Sequence, residues 1–266
     1  MARGRLFSAL LRYWRQRRGM SQLDLALASE VSARHVSFLE TGRAQPSREM
    51  VLRLGAALAV PLRDQNALLD AAGLGQEFAE PALVDGIPEP VRMAIDRMAA
   101  QQEPFPLVVM NRIHDVLIAN RAAQNLIARF VVEPPLTGTL NAFRVLFDPK
   151  LARPFVLDWE RVAKNMLCML QREVLIHSED ERLRALLTEV QGYPDLPPSF
   201  REPDLGSPSD ATLTIRVKRN DLELGFLTTL TSFTAPQNVT LEELRIESYF
   251  PLDDATIRAC EQLARE

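Results

Sequence analysis

"MSQLDLALASEVSARHVSFLETGR", residues 20–43, holds two short helical patterns separated by a turn. Ser21-x-x-Asp24 has the spacing of a capping box and opens a helix that buries Leu25 and Ala26. Ser32 caps the next, with Val31 and Val36 at the two positions of a hydrophobic staple. Gly42 supplies the left-handed residue that ends it. This second helix turns Val36 and Leu39 inward and leaves Ser32, Ala33, Arg34 and Ser37 on its open side. Helices so short are marginal in water alone and must pack on others.

The flanking sequence provides those others. Phe7, Leu11 and Trp14 fall at i, i+4 and i+7, an apolar stripe for a first helix that Gly19 stops. Ser47 opens a fourth helix with Met50, Leu54 and Leu58 on one side. Pro61 suits the first turn of a fifth, which carries Leu62, Leu68 and Leu69 and closes at Gly73. The head therefore reads as five short helices.

Charge separates this head from the rest. Residues 1–75 carry eleven arginines against six carboxylates, a surplus of five, while the remainder has 20 basic and 29 acidic residues. A basic head on an acidic body points to two domains, the first meeting a polyanion. The whole chain, 266 residues with 47% hydrophobic and 25% charged, has the composition of a globular protein. No apolar run approaches the roughly 20 residues of a membrane span, and no signal peptide is expected, so the expectation is a cytoplasmic location without membrane contact. Cys168 and Cys260 lie within apolar helical patterns and are expected as buried thiols.

Between Gly73 and Pro90 the pattern breaks into "GLGQEFAEPALVDGIPEP", rich in Gly and Pro. This places a head at 1–74, a linker at 75–88 and a second domain at 89–266. Gly73-x-Gly75 lacks the third glycine of a dinucleotide fingerprint and reads as a helix end. The second domain opens with a helix over about 89–102, then "PLVVMN" and "DVLIAN" as an antiparallel hairpin. Ala122, Ala123, Leu126, Ile127 and Phe130 follow a helical stripe. Asp158 is placed to cap a long helix carrying Trp159, Val162, Met166, Met169 and Leu170, and Ser178-x-x-Glu181 to cap another ending at Gly192. Five prolines in 194–208 make a loop. Three strands follow, in "TLTIRV", "LELGFLTTLTSF" and "ELRIESYF", and a helix begins near Asp254.

The quoted stretch resembles the helix-turn-helix of the Xre/Cro/phage-repressor family, a lambda-repressor-like all-α fold. The matching residues are Ser21, Gln22, Leu25, Ala26, Val31, Ser32, Leu39, Glu40, Gly42 and Arg43. The resemblance implies double-stranded DNA as partner, the second short helix lying in the major groove. By position, Ser32, Ala33, Arg34 and Ser37 then face the groove, and Arg34 is suited to a bidentate contact with guanine. Gln22 meets phosphate and braces the recognition helix. Phe38 stands where relatives carry a polar reader; it either touches a methyl group or packs under the fourth helix. Arg43 and Arg48 are placed for phosphates, which fix register without reading sequence. The positions of Arg15 and Glu40 imply an ion pair joining the first helix to the third.

Strand order in the second domain resembles a PAS-like fold, an α+β domain with a five-stranded antiparallel sheet and helices. With "NAFRVLFDP" and the Trp159 helix, the chain as a whole resembles the MmyB-like regulators, in which an Xre-type head precedes a PAS-like ligand-binding domain. That resemblance implies no catalytic cofactor but a small apolar effector such as a bound fatty acid. Met110, Ile118, Phe143, Phe147, Trp159, Met166, Met169, Phe226 and Phe233 are candidate wall residues. Arg144 either holds an acidic head group or pairs with Asp148 one turn on. His35, His114 and His177 sit in no metal-ligand spacing, and neither a nucleophile elbow nor a phosphate loop is present, so no enzyme is expected. Two readings stay open: a regulator whose DNA affinity follows a ligand through a homodimer on a near-palindromic operator, and a constitutive DNA binder whose acidic body meets a protein partner.

Overall fold

The structure is a computed structural model and describes residues 2–79, 87–132, 138–177, 180–201, 213–233 and 238–265. The chain divides into two compact units, 1–82 with 233–242, and 83–232 with 243–266.

The first unit contains five helices in the expected order: α1 Ala2–Arg17, α2 Gln22–Ala28, α3 Ala33–Glu40, α4 Arg48–Ala57 and α5 Leu62–Ala71. The local signals act as read. Ser21 and Asp24 complete a reciprocal capping box at α2, and the hydroxyls of Ser32 and Ser47 accept from His35 N and Met50 N to start α3 and α4. Gly42, at φ 71°, turns the chain out of α3. The α2–α3 turn uses Glu30 at φ 54°, a conformation costly to a side chain with a Cβ. Phe7, Leu11, Trp14, Leu25, Val36, Leu39, Leu54, Leu58, Leu68 and Leu69 form one buried cluster. Trp14 sits in it with Tyr13 edge-on at 5.6 Å and the Arg17 guanidinium 5.3 Å from its ring. Residues 233–242 belong to this unit too: Glu242 accepts from the Leu62 backbone N–H at 2.9 Å, and the Val239 N–H donates to the Ala79 carbonyl.

The second unit is an antiparallel sheet with helices. Its strands are β1 Leu107–Met110, β2 Val116–Ala119, β3 Val156–Leu157, β4 Leu213–Arg219, β5 Leu222–Thr231 and β6 Arg245–Pro251, in the order β2-β1-β6-β5-β4-β3. The sheet therefore has six strands rather than five. The extra one is the two-residue β3, which pairs Val156 with Val217 at the edge and is too short to show a period in sequence. Its helices are α6 Glu89–Gln102, α7 Arg121–Phe130, α8 Ala142–Phe147, α9 Trp159–Ile176, α10 Glu181–Gln191 and α12 Asp254–Leu263, whereas α11, Val239–Glu243, lies in the first unit up to Glu242.

Two caps differ from expectation. Asp158 precedes α9 but sits in the left-handed region at φ 52°, not in the extended conformation usual for a capping residue, and makes no side-chain cap. Ser178 lies outside the described residues, and Asp180 caps α10 by accepting from Arg182 N and Leu183 N. A short 3-10 turn, Pro198–Arg201, falls within the expected loop.

Asn120 ties this unit together at the start of α7. Its Oδ1 accepts from Ala123 N and Leu107 N, and its Nδ2 donates to the Phe105 carbonyl. Phe143, Phe147 and Trp159 stack in series, with centroid spacings of 6.2 and 6.0 Å, and Trp159 Nε1 donates to the Leu146 carbonyl. The Arg153 guanidinium lies 3.8 Å from the Trp159 ring centroid.

Candidate functional site

On α3, Val36, Leu39 and Glu40 are buried, whereas Arg34 is exposed and Ala33 and Ser37 are half-buried. Of the expected groove-facing set, Ser32 and Arg34 are thus exposed, Ser37 is partly so, and Ala33 packs against the core of the first unit. Ser32 is exposed at its start, but its hydroxyl already accepts from His35 N at 3.1 Å. Phe38 is half-buried, and the Arg34 guanidinium lies over its ring at 5.1 Å. One turn apart, the two form a cation–π pair that holds the arginine outward.

Glu40 anchors α3 from behind. Its side chain is 1% exposed, and Arg15 meets it in a fork, Nε to Oε1 at 2.6 Å and Nη2 to Oε2 at 3.0 Å. Gln22 Nε2 donates to the same Oε2 at 2.8 Å, so Gln22 braces the recognition helix through Glu40. Burial works to raise the Glu40 pKa, but hydrogen bonds from Arg15 and Gln22 and the charges of Arg15 and Arg12 outweigh it and hold the carboxyl below its ordinary range. Arg43 is exposed just past α3. Arg48, expected at a phosphate, is engaged elsewhere. It pairs with Glu77 at 2.6 Å and also donates to the Leu74 carbonyl, fastening α4 to the chain beyond α5.

The second unit contains a mainly apolar cavity of about 150 Å³, lined from both the sheet and its helices. Of the expected wall residues, Met110, Met166 and Phe226 line it. Phe143, Phe147 and Trp159 do not, because they are spent on one another in the stack under α8 and α9. Met169 packs against that same core, and Ile118 is half-buried on β2 without lining the space. Phe233 falls in the first unit. Arg144 takes neither expected role: it is exposed and forks onto Glu189, at 2.8 and 2.9 Å.

Several lining residues were not anticipated. Val108 and Val116 come from the hairpin, Leu126 and Ile127 from α7, and Val145 from α8. Polar lining comes from Thr228, Glu247 and Tyr249 on β5 and β6. The apolar positions were visible as helical or strand stripes, yet a stripe marks burial without saying whether it faces protein or space.

Beside the β1–β2 turn stands a buried charged cluster. Arg112, 4% exposed, lies 3.7 Å from Asp180 and 3.4 Å from Glu243. The nearby His177 is held neutral, its pKa lowered to about 4 by burial and by the Arg112 charge. Cys260 is buried, which pushes its thiol up to about 11, and both cysteines are free. Among the described residues, no group of three or more His, Cys, Asp or Glu could hold a metal ion, and no helix is long and apolar enough to cross a membrane.

A braced helix with an open arginine-bearing face, in a chain that also carries an apolar cavity, defines a DNA-binding transcription regulator with a ligand-binding domain. Comparison with protein families agrees: residues 11–65 match the helix-turn-helix model, and residues 91–263 match that of the MmyB-like transcription regulator ligand binding domain. The chain belongs to the MmyB-like transcription regulators. Comparison with individual curated proteins returns no match.

Proposed function

We propose that this protein is a cytoplasmic transcription factor, not an enzyme, whose DNA affinity is set by a small, mainly apolar effector held in the cavity of its second unit. The observation that carries the reading is the cavity itself: about 150 Å³ of space walled by side chains from both sheet and helices. Well-packed interiors leave few voids larger than a water, so space on this scale exceeds an ordinary packing gap and has room for a small ligand.

Arg34, Ala33, Ser32 and Ser37 read bases, and Arg43 meets phosphate. The protein acts as a homodimer on a near-palindromic operator, with half-sites about one helical turn apart. Effector changes DNA affinity only to the extent that it binds two arrangements of that dimer unequally. The hydrocarbon part of a fatty-acid-like molecule suits the lining; its head group is a separate question.

The test is solvent extraction and mass spectrometry of the purified full chain, alongside an Ala142→Phe variant that fills the cavity. An apolar species bound stoichiometrically by the native chain and absent from the variant supports the reading. Identical, empty extracts, with DNA binding unaltered by added hydrophobic compounds, transfer the weight to a constitutive DNA binder whose acidic body meets a protein partner.

A further inference from the structure

The cavity has one polar end. Thr228 stands directly opposite Tyr249 in the β5–β6 register, and Glu247 lies two residues before Tyr249 on the same strand face. Across β1, the register partner of Glu247 is Val108, which also lines the cavity. Glu247 hydrogen-bonds to the side chains of Thr228 and Tyr249. The Tyr249 and Phe226 rings meet edge-to-face at 5.7 Å, and both line the space. Among the described residues, no lining side chain is basic. His114 acts on Glu247 through its charge, in the direction that favours the carboxylate, but its Nε2 is itself 3.1 Å from Glu173 Oε2.

An ionised carboxylate buried among hydrocarbon is costly unless a cation joins it. The residues that line the cavity beside Glu247 provide hydroxyls and π-faces, and the one charge that favours its carboxylate, His114, lies outside that lining. Burial accordingly pushes the Glu247 carboxyl above its ordinary range, and the Tyr249 phenol well above its own. A ligand carrying a carboxylate would set a second anion beside the first, with no basic side chain in the lining to neutralise either. A ligand carrying an ammonium would supply the missing charge, and aromatic faces attract cations as well.

We propose that the cavity takes a small lipophilic amine, its ammonium held by the Glu247 carboxylate beside the rings of Tyr249 and Phe226, its hydrocarbon along the apolar walls. This rests on the reading of the cavity as the effector site and adds the chemistry of the head group. Size bounds the rest: an apolar cavity of about 150 Å³ accommodates a molecule such as benzene, so the body has roughly six carbons.

The test is calorimetric titration of the full chain at neutral pH with hexylamine, hexanol and hexanoate, which share a body and differ in head group. The expected order puts hexylamine at least about tenfold tighter than either of the others, a difference of about 1.4 kcal/mol. Glu247→Gln abolishes that preference and leaves hexanol binding within about twofold of native. Tyr249→Phe, which keeps the carboxylate and the ring, retains the order. Hexanol or hexanoate binding as tightly as hexylamine, with all binding lost in Ala142→Phe, overturns the amine assignment and leaves the effector cavity standing. Binding of none of the three, or binding undiminished in Ala142→Phe, overturns both.

Discussion

Arg15 on α1 and Glu40 at the end of α3 form a fork of two contacts, 2.6 and 3.0 Å, behind the helix that faces DNA. Because Glu40 is almost fully enclosed, its partners set the orientation of the recognition helix rather than merely decorating it. Arg15→Ala leaves the enclosed carboxylate with only Gln22 and the half-exposed Arg12, 3.8 Å away, and is expected to cost up to about 3 kcal/mol of stability. Replacing both partners by apolar residues, Arg15→Met with Glu40→Leu, recovers most of the loss, because the desolvation penalty goes with the charges. Since Glu40 is held below the ordinary carboxylate range, its contribution is present above that range and is lost as pH falls below it, through the lowered folded value. Urea unfolding of the single and double variants across acid pH measures all three effects.

The arginines around α3 separate by what they touch. Arg34→Ala is expected to relax base preference at one position by about 1–3 kcal/mol, read by binding to a panel of single-base operator variants. Arg43→Ala weakens every site alike and lowers the slope of log K against log salt by about one. Arg48→Ala leaves that slope unchanged, because its guanidinium belongs to Glu77 and Leu74. A reduced slope for Arg48→Ala would mean that the Glu77 pair opens on DNA.

His177 makes stability sensitive to mild acid. Its pKa is lowered to about 4 in the folded chain, whereas an unfolded histidine titrates near 6.5. Between these values the unfolded chain takes up a proton that the folded chain refuses, so stability falls as pH drops from about 6.5 toward about 4. His177→Gln, neutral throughout, is expected to flatten this part of a melting-temperature profile.

Glu247 acts in the opposite direction. With its carboxyl raised by burial, the folded chain keeps the proton to higher pH than the unfolded chain does. The penalty is therefore absent below the ordinary carboxylate pKa and grows as pH rises above it. In the absence of ligand, Glu247→Gln is expected to be more stable than the native chain at neutral pH, the gap closing on acidification. A native chain as stable as Glu247→Gln at every pH would show that the carboxyl is solvated.

The head was legible in sequence because its signals are local. Ser21, Ser32 and Ser47 cap helices within three residues of themselves, and Gly42 ends one by its own φ. Arg48 was not, since nothing near Ser47 announces a partner at Glu77. In the second unit the Met and aromatic stripe was found but not its division: Phe143 and Phe147 bury against each other, Met110 and Met166 against space. Glu247 was hidden for a different reason. Ile246 beside it is 1% exposed, so the two residues bury opposite faces of the same strand. Strand alternation points a glutamate next to a buried isoleucine toward solvent, and only the covering helices reveal otherwise.

Each compact unit contains one of the two tryptophans, Trp14 among the head helices and Trp159 under Arg153 in the sheet domain. Nature has thus given each half its own fluorophore. Trp14→Phe leaves emission that reports only on the cavity-bearing half, and Trp159→Phe leaves emission that reports only on the DNA-binding half. A denaturant titration followed in the two variants separates the unfolding of reader and sensor, with no label attached.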